Sequence, residues 1–381
     1  MRIVFFTKYF CPHIGGVEKH VLNLSKKMLE KGHDVIVVTE KLYLQQDLSG
    51  HQKVSLGHLP GAQANLEDIN GIKVIRINVG RDSWFKKFRI WNELLKIRKI
   101  LISADVIHCH DIFFWYLPFR FLFPTKKVFT TFHGYEGNNL PSRKAMLMHK
   151  LAEKLSSGNI CVGDFLNKWY GTNPNFVIYG AVDISESQIS NLRSQNHISK
   201  LKNNNYLTNL SLKILYVGRL EEEAGIMEYL RALKILKERG YNFSLDVLGD
   251  GSQKKEAEKF SILNNLDINF KGFVEDVDKY LEKADFIFTS RYLGILESFA
   301  KKKFVFAVYN NPIKNDYLEF SPFSKNISIN RNYMDLAEEI ISVLKNEKDT
   351  LEKIEKNYEW VKKQSWNRLA KIYFKLWSKQ V

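Results

Sequence analysis

The chain has 381 residues, 45% of them hydrophobic and 26% charged, with a formal net charge of +15 at pH 7; this suits two domains of ordinary size and excludes a low-complexity chain. Three widely spaced cysteines, Cys11, Cys109 and Cys161, form neither a disulfide framework nor a CxxC metal site. The basic excess fits a solvated surface, an anionic substrate or an anionic membrane face; no nucleic-acid-binding signature accompanies it, so no nucleic acid partner is expected.

Met1 leads straight into an apolar strand, Arg2–Thr7, with no basic-then-apolar signal segment ahead of it. A Gly15-Gly16 turn, an amphipathic helix over Val17–Lys31 and a strand at Asp34–Val38 complete a strand–turn–helix–strand unit. Leu42–Asn70 is polar and reads as an exposed loop. Strands follow at Lys73–Ile77, Val106–Cys109, Lys127–Thr131 and Asn159–Val162, and helices at Arg89–Ile102, Ser142–Leu155 and Asp164–Tyr170. The apolar run Ile112–Phe123 is interrupted by Pro118 and Arg120 and falls short of the ~20 residues that span a bilayer. Ser185–Asn209, rich in Asn, Ser and Lys, reads as a linker. Ser211–Gly249 then repeats the strand–turn–helix–strand order. Further strands are expected at Ile268–Lys271, Phe286–Thr289, Phe304–Val308 and Ile327–Ile329. Such alternation predicts parallel sheets in both halves and two facing domains with a cleft between them. Lys348–Gln380 is helical, aromatic and, beyond Val361, purely basic, which suits a seam cover or a membrane contact.

Candidate residues cluster where strands are expected to end, the position of ligand crevices in open parallel sheets. Gly15 and Gly16 allow close backbone approach, and the helix they open offers free N–H groups to an anion; a plain tight turn explains them equally. His133, just past a strand end, suits a hydrogen bond to a phosphate or sugar hydroxyl, or to a backbone carbonyl. His108 and His110 share one strand face while Cys109 points away, which favours packing over a metal site. Arg219 offers a guanidinium fork to a diphosphate, or an ion pair to Glu221, Glu222 or Glu223. Glu297 can accept both hydroxyls of a ribose, or partner a helix dipole. Residues Arg81–Ser103 hold seven cations, two acids, two tryptophans and two phenylalanines. That helix either anchors at an anionic membrane surface or packs Trp91, Leu94, Leu95 and Ile97 into the core.

Taken together, these segments resemble the retaining GT-B-fold glycosyltransferases of family 4. The resemblance runs through Pro12–Thr39, TTFHGYEG at Thr130–Gly137, YGAVD at Tyr179–Asp183 and VGRL at Val217–Leu220. It continues through LGDG at Leu248–Gly251, GFVEDV at Gly272–Val277 and LESFAKKKFVFAV at Leu296–Val308. It implies two Rossmann-like doubly wound parallel-sheet domains. Residues 1–185 would bind the acceptor, 186–364 the donor, and a closing helix at about 365–381 would cross back to the first domain. It further implies transfer of a hexose-type sugar from a nucleotide-diphosphate sugar to a glycan or lipid-linked acceptor, with retention and with no cofactor or metal. With no signal segment and no spanning run, a cytoplasmic protein is expected, peripheral on the inner face of the membrane if Arg81–Ser103 anchors there. Gly15, Gly16, Arg219 and Glu297 would bind the donor, and His133 would act at the reacting sugar. Two departures stand out. The lysine usual in the family after GRL is Ala224, and the segment Ser290–Glu297 is short and lacks a first glutamate, so Arg291 is the candidate replacement cation. These departures leave open an alternative: an impaired GT-B protein that serves as a nucleotide-sugar-binding or scaffold subunit.

Overall fold

β1 (Arg2–Phe6) buries Ile3, Val4, Phe5 and Phe6 completely. A strand with no solvent face needs helices on both sides of its sheet. The computed structural model describes residues 1–13, 15–41, 66–80, 83, 85–134, 140–184, 211–274 and 276–378. In the first half, β1 is followed by α1 (Gly16–Glu30), β2 (Asp34–Glu40), β3 (Leu66–Ile69), β4 (Ile72–Ile77), α2 (Lys86–Lys96) and α3 (Arg98–Ser103). Then come β5 (Val106–His110), α4 (Phe113–Leu122), β6 (Val128–Phe132), α5 (Arg143–Leu155), β7 (Gly158–Val162), α6 (Phe165–Tyr170) and β8 (Phe176–Ile178). The strands form one sheet in the order β3-β4-β2-β1-β5-β6-β7-β8.

The second half runs β9 (Leu212–Val217), α7 (Ile226–Glu238), β10 (Phe243–Leu248), α8 (Lys254–Leu263), β11 (Ile268–Gly272), α9 (Asp278–Lys283), β12 (Phe286–Phe288) and α10 (Tyr292–Ala300). It continues with β13 (Phe304–Val308), α11 (Pro312–Glu319), β14 (Ser328–Asn330), α12 (Tyr333–Lys345), α13 (Glu347–Val361) and α14 (Trp366–Ser378). Its sheet has the order β11-β10-β9-β12-β13-β14, and its strand pairs are parallel. Both halves are doubly wound α/β units, the GT-B arrangement.

Several expectations need correction. The expected loop Leu42–Asn70 ends in β3, which pairs antiparallel with β4 at the sheet edge, so the first sheet is not wholly parallel. Leu66 is exposed there, which blurs the burial pattern of a strand; residues 42–65 lie outside the described residues. The single helix expected over Arg89–Ile102 is broken at Ile97 (φ −100°, ψ 16°). Its buried face is Ile90, Leu94, Ile97 and Leu101, while Leu95 is exposed. The run around Pro118 forms α4. Proline cannot donate to the carbonyl four residues back, and the Trp91 indole N–H fills that gap by donating to the Phe114 carbonyl at 3.1 Å. The expected boundary at 185/186 and the linker beyond it lie outside the described residues, as does Trp84 in the basic segment.

The seam is apolar and continuous with the core of the first half: Tyr292, Tyr317, Phe323 and Trp366 belong to the same buried cluster as β1. α13 and α14 part at residues 362–365. The break is held where the Val182 N–H donates to the Gln364 carbonyl (2.9 Å) and the Trp366 N–H to Asp183 (3.2 Å). From there α14 lies on α1 and β7. Its buried residues Trp366, Leu369, Ala370, Tyr373, Leu376 and Trp377 form one helical stripe, with Lys371 and Lys375 outside it.

Candidate active site

Strand order reverses between β1 and β5 in the first sheet, and between β9 and β12 in the second. At these switch points the carboxyl ends open a crevice. On the first side it receives Thr7 after β1, His110 and Asp111 at the end of β5, and His133 after β6. On the second it receives Gly218 and Arg219 after β9 and Thr289 to Arg291 after β12. Lys19 of α1 pairs with Glu297 of α10 across the crevice. Burial pushes the Glu297 carboxyl up from its ordinary range, against the lowering effect of Lys19.

Four histidines cluster under the first side of the crevice, their rings tilted or edge to face. Trp377 Nε1 donates to His108 Nδ1 (3.1 Å), and His108 Nε2 lies 2.7 Å from Thr131 Oγ1. Thr131 Oγ1 is 2.8 Å from the Tyr373 hydroxyl, which is 3.0 Å from His20 Nε2. The direction of this chain follows from its first member. An indole N–H only donates, and burial holds His108 neutral, well below the usual imidazole range. His108 therefore accepts at Nδ1 and donates from Nε2 to Thr131. Thr131 must then donate to Tyr373 to use its own proton, and Tyr373 donates to His20. His20, whose pKa burial lowers to about 3, thus accepts at Nε2 and keeps its proton on Nδ1.

His110 Nδ1 and His133 Nε2 share a second hydrogen bond of 2.8 Å, and the His133 backbone N–H donates to Asp111 at 2.7 Å. His110 Nε2 is buried without a partner. Orphaned buried N–H groups are rarer than orphaned acceptors, so His110 donates from Nδ1 and leaves its Nε2 bare. His133 then carries its proton on Nδ1, available to a ligand. Burial keeps both rings neutral, well below the usual range.

His20, His110 and His133 bring ligand nitrogens within 4.8 Å of one another. Here those nitrogens are engaged with protein partners: His110 Nδ1 and His133 Nε2 bond each other, and His20 Nε2 bonds the Tyr373 hydroxyl.

On the second side, Arg219 and Arg291 converge on one atom, Glu223 Oε1, at 2.7 and 3.3 Å. Both guanidinium groups stay partly exposed. Ala224 is buried in a short 3-10 turn before Gly225, whose φ of +76° requires glycine, so no cation reaches the crevice from that position. Lys314 of α11 is fully buried with its ammonium on the Ser290 carbonyl, and burial drives its pKa well down. Gly15 (φ −163°) caps α1 in extended backbone, and a Cβ there would strike the Glu18 carboxylate at 2.2 Å. A Cβ on Gly16 would meet nothing within 4 Å.

Residues 14–186 match the family described as Glycosyltransferase Family 4, and residues 198–360 match Glycosyl transferases group 1. The chain is a GT-B glycosyltransferase of the family 4 type. This glycosyltransferase is 23% identical over 395 residues to an uncharacterized glycosyltransferase of Methanocaldococcus jannaschii, covering 99% of each chain. It is 26% identical over 114 residues to the phosphatidylinositol N-acetylglucosaminyltransferase GPI3 subunit of Saccharomyces cerevisiae; the match covers 29% of this chain and about a fifth (21%) of the length of that relative. Its fold is similar to that of the Anabaena protein HepE in complex with UDP-glucose, at TM-score 0.66 and 15% identity, covering 98% of this chain and 99% of that one.

The structure brings His133 to the first side of the glycosyltransferase's crevice and Arg219, Arg291 and Glu297 to the second, with Gly15 and Gly16 opening α1 beside Lys19. Lys19, His20, Lys314 and Tyr373 are absent from the candidates named by sequence, whereas Glu223 was named as an ion-pair partner of Arg219 and is one. The nearest signal for His20 was its place one turn inside a helix that opens at the crevice. Tyr373 gave no local signal, since its partners Thr131 and His20 lie 242 and 353 positions away.

Proposed function

We propose that this enzyme transfers a hexose-type sugar from a nucleoside-diphosphate sugar to a hydroxyl of a glycan or lipid-linked acceptor, with retention and without a metal. The observation that carries the reading is the convergence of Arg219 and Arg291 in a crevice whose other wall holds His133. The two arginines, with the N–H groups at the start of α1, stabilise the charge that develops on the leaving diphosphate. Glu297 holds the ribose, and the His133 N–H binds the transferred sugar. As the bond from the anomeric carbon to the diphosphate oxygen breaks, the acceptor oxygen bonds that carbon on the same face. Its proton passes to the departing oxygen. The likeness to HepE, solved with UDP-glucose, supports the donor class.

The acceptor domain supplies a membrane-facing surface in this reading. Phe85 and Phe88 at the start of α2 are 61% and 55% exposed beside Lys86 and Lys87. Aromatic residues among cations suit an anionic leaflet at the cytoplasmic face. Among the described residues, no helix is long and apolar enough to cross a membrane. The buried Ala224 favours a second reading, a nucleotide-sugar-binding subunit without transfer. Calorimetric titration with nucleotides and nucleotide sugars, run beside a donor-hydrolysis assay, tests both. Binding with turnover supports the enzyme, binding without turnover supports the subunit, and no binding refutes both.

A further inference from the structure

A cavity of about 1140 Å³ opens in the first half beside the crevice. Its floor is made by strand ends: Thr7, His110 and Asp111. Asp111 also receives the His133 backbone N–H, so one end of the cavity lies at the reacting centre. Away from the floor the character changes. The walls come from α2, α4 and α5, and are formed by Phe88, Phe113, Leu117, Met148 and Ala152. Four lysines line it as well, Lys8, Lys86, Lys87 and Lys144, with the carboxylates Glu18 and Glu40; Lys86 pairs with Glu40 at 3.1 Å, and Lys87 and Lys144 are exposed. The outer faces of the same three helices expose Phe85, Phe121, Leu122 and Leu147.

This lining selects its occupant. Each sugar hydroxyl placed against phenylalanine, leucine and methionine would lose its hydrogen bond to water and find no replacement. Saccharide therefore suits the floor and not the walls. The volume exceeds the roughly 300–1,000 Å³ typical of small-molecule pockets, which is more than one sugar requires. An apolar chain suits the walls, and the exposed Lys87 and Lys144 call for an anion between chain and sugar.

We infer that this cavity is a binding site for a single chain-bearing phosphate, in which the apolar chain of the acceptor lies along α2, α4 and α5, its phosphate meets Lys87 and Lys144, and its sugar end reaches Asp111 and His133. The inference rests on the transferase reading for the role of the bound molecule, but not for the binding itself. It places the chain inside the protein rather than leaving it in the bilayer.

The test uses the whole chain and farnesyl phosphate, butyl phosphate, farnesol and inorganic phosphate as probes, titrated calorimetrically in the absence of vesicles. Burial of each methylene is worth about a fourfold change in affinity, so farnesyl phosphate should bind one per chain and at least 100-fold more tightly than butyl phosphate. Ala145→Trp, which adds an indole at the half-buried lining position on α5, should weaken farnesyl phosphate at least tenfold. Lys87→Glu with Lys144→Glu should erase its preference over farnesol. Equal affinity for the butyl and farnesyl compounds would overturn the inference. So would binding unmoved by both variants, or binding of the chain only when it is presented in vesicles. Nucleotide titration in the same samples reports separately. Farnesyl phosphate binding without any nucleotide binding would sink the transferase reading and keep the site; the converse would keep the transferase reading and remove the site. Unaltered nucleotide affinity in each variant shows that it is folded.

Discussion

Replacing Tyr373 with phenylalanine isolates the contribution of the buried hydrogen-bond chain. The substitution removes one oxygen and keeps the ring, which packs 4.9 Å from His108 and 5.7 Å from Trp377 between centroids. It deletes the bonds of 2.8 Å to Thr131 and 3.0 Å to His20. Neither partner can turn to solvent, since Thr131 is 0% and His20 5% exposed. Thr131 still accepts from His108 but loses the acceptor for its own proton, and His20 Nε2 loses its donor. One buried group left unsatisfied costs about 1–3 kcal/mol, so the pair should cost about 2–6 kcal/mol. Urea unfolding measures this, with Lys371→Ala on the exposed side of the same helix as a control expected within about 0.5 kcal/mol of the parent. The ring nitrogens provide a second readout. Imidazole ¹⁵N shifts should show His20 protonated on Nδ1 in the parent and a mixture of tautomers in the variant. A loss below about 0.5 kcal/mol, or a parent His20 protonated on Nε2, would refute the direction assigned to the chain.

Acidification should destabilise the fold early. His20, His108, His110, His133 and His149 all have folded pKa values below the ordinary 6.5, with burial as the leading cause. A base depressed by folding stays neutral in the native state and takes a proton only on unfolding. Its contribution is complete above about pH 6.5 and drains as the pH falls towards the folded value, by about 1.4 kcal/mol per pH unit per histidine. A urea midpoint unchanged between pH 7.5 and 5.5 would contradict this. On the donor side, Arg219→Ala and Glu297→Ala should each weaken nucleotide-sugar binding by about 2–5 kcal/mol, and titration calorimetry showing wild-type affinity in both would remove them from the site. Glu223→Gln should act in the opposite sense. Freeing both arginines from a partly exposed pair worth about 0.2–1 kcal/mol should tighten nucleoside-diphosphate binding up to about fivefold, and weaker binding would show that Glu223 orients the arginines instead. His133→Ala should lower kcat with little change in donor affinity, the mark of an interaction made in the transition state; equal losses in both would make it a binding residue.

The legible parts of the chain are those whose cause is local. Strands such as β1 and β13 declare themselves because every residue between two helical layers must be apolar. The crevice residues His133 and Arg219 could be named because strand ends are where such crevices form. The break at Ile97 was not legible: the pattern through it continues at helical spacing, and only packing decides. The helix around Pro118 depends on an indole 27 positions away, beyond any local rule. The histidine network was half visible, since His108 and His110 share a strand face, but what turns a packed face into a directed chain is Trp377 and Tyr373 arriving from another part of the sequence.

That arrival has a consequence for how the chain acquires its shape. Tyr373 completes a buried cluster in which Thr131 lies 242 and His20 353 positions earlier. As the polypeptide leaves the ribosome, the first sheet is made while the helix that covers one of its faces does not yet exist. Until α14 is made, β7 and the histidine face of β5 have no lid, and their apolar surface is open to other chains or to a chaperone. Domain-by-domain folding in order of synthesis is the usual pattern, and this architecture defers the first unit until the second has been threaded through. A truncation that removes α14 should thus be felt at His20 and His133 rather than at the donor side, and proteins of this design should mature only after their second half is built.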